Sequence, residues 1–584
     1  MRKVLLYICS VFILGGMTSC EDFLDKREDV GLTEDDIFRD YYSLRGFLDQ
    51  SFNQLENVMV MDNWENGRAF VGLFADEMAT TDNSSAVFTL HSGNWLSNAK
   101  SNTTFEIGNG GSTAISRSYK ALRINNRIIN DIDKAPLTPE QKNEILGQAY
   151  FYRSWFYFQI IKRYGGMPII DKVFEGGDDD IPRVTYHESH DWMMEDIQKA
   201  IYMLPDSWDD PNYGRPTKIA AMALKEWAQL FDASPLMQND LNSTENKGYD
   251  TERAKSAAKS AYEVIRYMDG SKSAPYPYGL ASKEEYTNVF YFKYPPVHQP
   301  EYIWVKRQFP NAANQNQKRT IRTFWQYEDL AFGSGPDGNS MCCPSLNIVN
   351  MFDKKGADGI YYPIDDPRSG YALDYAHKPF EDRDPRFYNN ILLPGTTWGH
   401  YADGRTYYIT TYKGGAAYQH MLTQKDCNKR MFTGFMCKKF MWPECNQYLE
   451  KNNPNCWWDY RFLTIYIRAS QIYLDYAEAL FEGCGSATAT IEGCPISAAE
   501  AINILRRRIG LTDLPSDIVA DPDKFRAAYR RERAVELMFE NHRWWDIRRW
   551  MILEETFKDT YPIKGALFTP RESNHGSINS GPQA

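Results

Sequence analysis

Three clusters of the chain carry residue types that could do chemistry. His187-Glu188-Ser189-His190 brings two imidazoles close together, yet the second histidine comes one residue too soon for the H-E-x-x-H zinc and general-base motif. Asp178-Asp179-Asp180 offers carboxylates of the kind calcium takes, and equally makes a solvated acidic turn. Gly333-Ser334-Gly335-Pro336-Asp337-Gly338 satisfies G-x-G-x-x-G, but Pro336 lies inside it and no helix opens behind it, so a pyrophosphate cradle is not built. Neither the nucleophile elbow nor the phosphate-binding P-loop occurs. The 77 acidic residues allow many carboxylate pairs, and the separation that matters for glycoside hydrolysis is spatial, so spacing selects none. Glu532, Glu536 and Glu540 fall on one helical face at four-residue intervals, with Arg533 and Arg543 near enough to pair. That pattern reads as an Arg–Glu network fastening helix to helix. No constellation supports catalysis.

The clearest chemistry belongs to one thiol. Arg2 and Lys3 precede an apolar run from Val4 to Leu14, too short to span a bilayer, and a small-residue exit follows at Gly15-Gly16. Met17-Thr18-Ser19-Cys20 resembles the lipobox of bacterial lipoproteins, in which cleavage leaves the cysteine first and acylated. Residues 1–19 are then the signal and Cys20 the lipidation site. Several acyl chains anchor stably where one does not, because each buried CH₂ contributes about 0.8 kcal/mol. The body beyond offers no second run of this kind. Of its eight remaining cysteines none has C-x-x-C spacing, so disulfides or free thiols are expected and no metal site.

Composition bounds the partners. The net charge is −11, and loss of Arg2 and Lys3 makes it −13, so the basic footprint of a nucleic-acid binder is missing. The 15 Trp, 38 Tyr and 31 Phe exceed what a core alone asks for and suit a surface that grips flat amphipathic ligands such as sugars.

Helical periodicity dominates the elements that must position such a surface. Ile115, Tyr119, Leu122, Asn126 and Ile129 form one stripe, with Asn126 expected as a buried amide with partners. Thr138-Pro139-Glu140 opens a helix to about residue 164 that is apolar nearly all round and stops at Gly165-Gly166. Further helices are expected over 187–203, from near Pro216 to before Pro235, and from Thr251 to about Met268. Together they suggest tetratricopeptide-like hairpins. From about 270 to 465 the chain reads as long loops with brief strands at Tyr302–Val305 and Thr406–Ile409, and loops of that length are usually functional. Helices return from 465, where Ile467, Ser470, Leu474, Ala477 and Phe481 make one stripe, followed by Ala498–Ile509 and one continuous helix from Lys524 to Trp550.

Six ordered blocks now make a resemblance specific. RRERAVELMFENHRWWDIRRW (530–550) is very similar to the C-terminal signature of the SusD/RagB family of surface glycan-capture lipoproteins. Cys20–Asp25, Gly147–Tyr157 with Arg163–Pro168, Gly214–Lys218 through Ala233–Leu236, Asp382–Arg386 and Ile472–Ala479 resemble its other blocks in order. The resemblance implies a mostly helical fold with tetratricopeptide-like hairpins, a loop-rich elaborated face and a few short strands, divided as 20–270 and 271–584. It implies no catalytic residues and no cofactor, calcium being unsupported. As partners it implies a glycan, the outer membrane through the lipid anchor, and a SusC-like TonB-dependent transporter, with no nucleic acid. For the site it points to the loop from Asp76 and Glu77 through Trp95 and Asn98, and to Tyr294, Trp325 and Tyr327 from the central loops. Capture of oligopeptides, a surface glycoside hydrolase and a purely structural scaffold are the alternative readings.

Overall fold

The computed structural model describes residues 33–55, 71–79, 114–174, 180–239, 245–291, 298–307, 343–374, 378–400, 406–409, 411–415, 433–440, 463–558 and 563–568. Its frame is a stack of helices, α1 (Tyr41–Gln54), α2 (Ala114–Asp131), α3 (Pro139–Tyr164), α4 (Tyr186–Met203), α5 (Lys218–Ala233) and α6 (Thr251–Gly270). Each packs chiefly on the next, as helical hairpins do. Helix starts follow local chemistry. Thr138 and Thr185 make capping boxes with Gln141 and Glu188, and Pro139 takes the first position, where no N–H is needed. α3 ends at Gly165 (φ +78°), and Gly166 follows where the chain crosses the 184–185 backbone. A Cβ there would lie 2.0 Å from the Val184 carbonyl oxygen, so only glycine fits.

α3 is the axis of the stack, buried without interruption from Phe151 to Arg163. Asn126 is the satisfied buried amide that its place in the stripe requires. Its Nδ2 donates to the carbonyls of Ile170 and Lys172 (both 3.0 Å), and Arg153 Nη1 donates to its Oδ1 (2.8 Å).

After α6 the described residues lie outside the stack until Ala469. This stretch contains β1 (Tyr302–Arg307), a one-turn helix α7 (Pro385–Asn390), several two- to four-residue strands, and β2 (Leu463–Arg468), which pairs antiparallel with β1. The strands at 302–307 and 406–408 stand where the alternation placed them. α8 (Ala469–Cys484) then takes the next seat beside α6, so the hairpin stack resumes across the insertion. α9 (Ala498–Ile509), α10 (Pro522–Glu536) and α11 (Arg543–Arg549) complete the frame.

Two expectations are corrected. The stripe beginning at Ile467 is strand up to Arg468, because these residues pair with β1, and helix only from Ala469. The continuous helix from Lys524 to Trp550 is two helices. Between them Phe539 (φ +64°) and Asn541 (φ +68°) turn left-handed, and the Phe539 N–H donates to the buried carboxyl of Glu77 (3.1 Å). The described cysteines Cys484 and Cys494 are free thiols, and Cys343 and Cys437 are buried. No described helix is long and apolar enough to cross a membrane.

Candidate ligand cleft

A shallow cleft, about 520 Å³ with the solvent at its mouth included, lies where three loops meet at the start of β1. The first loop, 204–217, links α4 to α5. Pro205 ends α4, and the Lys218 N–H closes the loop onto the Pro205 carbonyl (2.9 Å). Inside it Trp208 is fixed by donation from Nε1 to Pro216 O (2.8 Å). The second loop is Pro275-Tyr276-Pro277-Tyr278, whose end is pinned by Tyr278 N–H to Ser271 Oγ (2.9 Å). The third, His298 to Tyr302, leads into β1. The floor is Trp304, which donates to Gly214 O (3.2 Å). It is wedged edge-on against Phe151 (4.8 Å) and Trp155 (4.6 Å) and stacked on Tyr466 (4.5 Å).

The walls are half-buried rings. His298 stacks on Tyr276 with centroids 3.7 Å apart and planes 22° from parallel, and Tyr213 meets the same imidazole edge-on at 4.4 Å. Asp210 sits at the rim. Its Oδ1 accepts from the Tyr276 hydroxyl (3.2 Å) and lies 3.2 Å from His298 Nε2. The Asp210 charge and this bond raise the Tyr276 phenol above its ordinary pKa, so Tyr276 stays a hydrogen-bond donor. Arg215 is below, held by Asp49 (2.7 and 2.8 Å) and Gln148 (3.0 Å). Such a surface stacks on the apolar face of a flat polar molecule and bonds its edges.

The C-terminal signature helix lies elsewhere and is spent internally. Glu532, Glu536 and Glu540 are buried, as expected of a helix-fastening network, but their partners come from distant segments and not from Arg533 or Arg543. Glu536 takes Arg386 (3.0 Å), Arg468 (2.9 Å) and Arg508 (2.6 Å), and Glu540 takes Arg468 (2.6 Å) and Lys439 (2.7 Å). Burial alone would raise the Glu536 pKa, and the three guanidiniums outweigh it and hold the carboxyl well below its ordinary range. On the other side of α10, Arg533 reaches Asp546 (2.7 Å) and Asp475. Arg549 clasps Glu478, which also accepts from Trp550 Nε1 (2.9 Å). Burial works against ionisation of Glu478 too, yet Arg549 brings its pKa down to about 2.

Of the residues singled out for ligand contact, Asp76 is described, and it faces inward. It is 2% exposed, with Arg543 donating to both oxygens (2.8 and 3.1 Å), so it ties the early turn to α11. Trp95, Asn98, Tyr294, Trp325, Tyr327 and the lipidation site Cys20 lie outside the described residues, as do Asp178 and Gly333–Gly338. Trp208, Tyr213 and His298 escaped the sequence reading. For Trp208 and Tyr213 the signal was an aromatic pair among aspartates in a loop bounded by Pro205 and Gly214.

The described group best placed for a metal is His190, Asp191 and Asp232. Asp232 is instead shared by His187 Nδ1 (2.7 Å), His190 Nδ1 (3.4 Å) and the Arg253 guanidinium, so a side-chain cation already occupies that position.

A helical-hairpin stack carrying a long loop-rich insertion and an open aromatic cleft defines a ligand-holding protein. The SusD family model matches residues 300–569, and a second, described as starch-binding associating with outer membrane, matches 22–226. The chain belongs to the SusD family. Similar solved structures include a SusD-like protein from Bacteroides fragilis NCTC 9343 (22% identity, 94% of this chain and 93% of that one, TM-score 0.65). A SusD-like carbohydrate binding protein from the same organism aligns at 18% identity (94% and 95%, TM-score 0.64). A laminarin binding SusD-like protein aligns at 19% (89% and 94%, TM-score 0.54). These likenesses establish a shared fold. No curated protein matches the chain.

Proposed function

We propose that this chain captures glycan at the outer membrane and passes it, uncleaved, to a SusC-like TonB-dependent transporter. The observation that carries the glycan reading is the cleft of Trp208, Tyr213, Tyr276 and His298, whose rings present stacking faces beside hydrogen-bonding edges. Family membership supports it, since the family is described as starch-binding and associated with the outer membrane. Cys20, once acylated, is the tether, and the loop residues Trp95, Asn98, Tyr294, Trp325 and Tyr327 are further glycan contacts in this reading. Delivery to a transporter follows from the resemblance of the signature blocks. In this reading no bond of the glycan is broken, and Asp210 at the rim serves Tyr276 and His298.

The test is a retention screen of the mature chain on gels containing individual polysaccharides, with parallel peptide titrations and chromatography of the ligand afterwards. Retardation by a glycan that emerges at its original length is expected. Shortened products would make the chain a glycoside hydrolase, and binding confined to peptides would move the ligand class.

A further inference from the structure

The loop that supplies Trp208 and Tyr213 also carries Asp206, Asp209 and Asp210, all exposed. Each accepts bonds from a neighbour that holds it in place. Asp206 takes the Tyr267 hydroxyl (2.6 Å), Asp209 takes Asn212 Nδ2, and Asp210 takes Tyr276 and faces His298. Among the described lining residues the full cation is Arg215, and the Asp49 carboxylate cancels its charge in a two-pronged pair. Asp210 therefore stands at the edge of the stacking surface, with Asp206 and Asp209 exposed on the same loop, and Arg215, the cation of the lining, is already neutralised. The chain's net charge of −11 has the same sign.

Building on the capture reading, we propose that this cleft selects uncharged glycan chains and rejects those bearing uronic-acid or sulfate groups. A pyranose stacked on Tyr276 brings ring substituents beside Asp210, which the Tyr276 hydroxyl holds at the rim. A hydroxyl there donates to a carboxylate. A carboxylate or sulfate there meets like charge at a distance shorter than the screening length of about 8 Å at physiological salt, so repulsion persists in ordinary buffer. Repetition along a polymer multiplies the effect.

The matched probe is the neutral polysaccharide that retains the mature, detergent-solubilised chain, compared with the same polymer after oxidation of its primary hydroxyls to carboxylates. Oxidation is expected to weaken binding at least about tenfold at low salt. Half-molar salt, or Asp206→Asn/Asp209→Asn/Asp210→Asn, should recover most of that loss. If the triple variant does not fold, Asp206→Asn/Asp209→Asn with its melting curve serves instead. Equal binding of both polymers, preference for the oxidised one, or a loss that neither salt nor Asn substitution recovers would overturn charge selection while leaving glycan capture intact. Neutral-glycan binding unchanged in a folded Trp208→Ala or Tyr276→Ala chain would place the glycan elsewhere and overturn the inference for this cleft. Retention by no polysaccharide at all would remove the capture reading, and charge selection with it.

Discussion

Two regions of this molecule use the same side chains to opposite ends. In the C-terminal frame, arginines and carboxylates are sealed inside. Glu536 alone is shared by Arg386, Arg468 and Arg508. In the cleft, aspartates and rings are half-open, each fixed by one or two bonds that leave a face toward solvent. The comparison teaches that the most recognisable stretch of sequence is not where ligand chemistry is done. Desolvation turns the signature into structure, while partial exposure leaves an ordinary-looking loop available for binding.

The contrast can be broken most forcefully in the frame. Glu536→Ala would leave three buried guanidiniums facing an uncompensated gap, and removing one partner of a buried ionic cluster costs about 3–5 kcal/mol. Calorimetry should show the melting transition falling by several degrees, and a transition unmoved would mean that the network is not stabilised by that carboxylate.

The next effect is one of pH. Burial pushes the Glu77 carboxyl from its ordinary 4.5 up to about 8, a rise that the Phe539 N–H only partly opposes. A group raised in the folded state contributes stability that is full below its unfolded pKa and is lost as pH rises through the folded one. Relative to Glu77→Gln, the native chain should therefore lose about 1.4 kcal/mol per pH unit between roughly pH 5 and 8. Parallel denaturation curves across that range would contradict the assignment.

A third test turns to the cleft, where Tyr276→Ala should weaken glycan binding about three- to tenfold while the melting point holds. The smallest effect sharpens the comparison from within one residue type. Arg507 and Asp513 form an exposed pair at 2.9 Å, and exposed pairs contribute about 0–1 kcal/mol. Asp513→Asn should leave the melting point nearly in place, and a shift as large as that of Glu536→Ala would erase the distinction between buried and exposed charge.

The same contrast explains what was legible in the sequence. α3, α4 and α9 follow from caps, proline and apolar period alone, because local chemistry and tertiary burial agree there. The break at 537–542 was hidden, since the partner of its Phe539 N–H is Glu77, more than four hundred residues earlier. The helical stripe at Ile467 misled because its strand pairing with β1 is equally non-local. Glu532, Glu536 and Glu540 announced a network by their spacing, yet their partners could not be named from within the helix. The cleft was least legible. Trp208, Tyr276 and His298 come from three loops, and only the fold brings them to one cleft, with His298 stacked on Tyr276. Asp76, read as a ligand contact, is drawn inward by Arg543, a pairing that spacing along the chain does not reveal.

The measurement that tests the central claim most directly is a paired titration and melting curve of the native chain and Tyr276→Ala against the retained neutral glycan. Affinity about three- to tenfold weaker, at a melting point within about 2 °C of native, is the expected result. Equal affinity in a chain that melts normally would contradict it and return the cleft to mere surface.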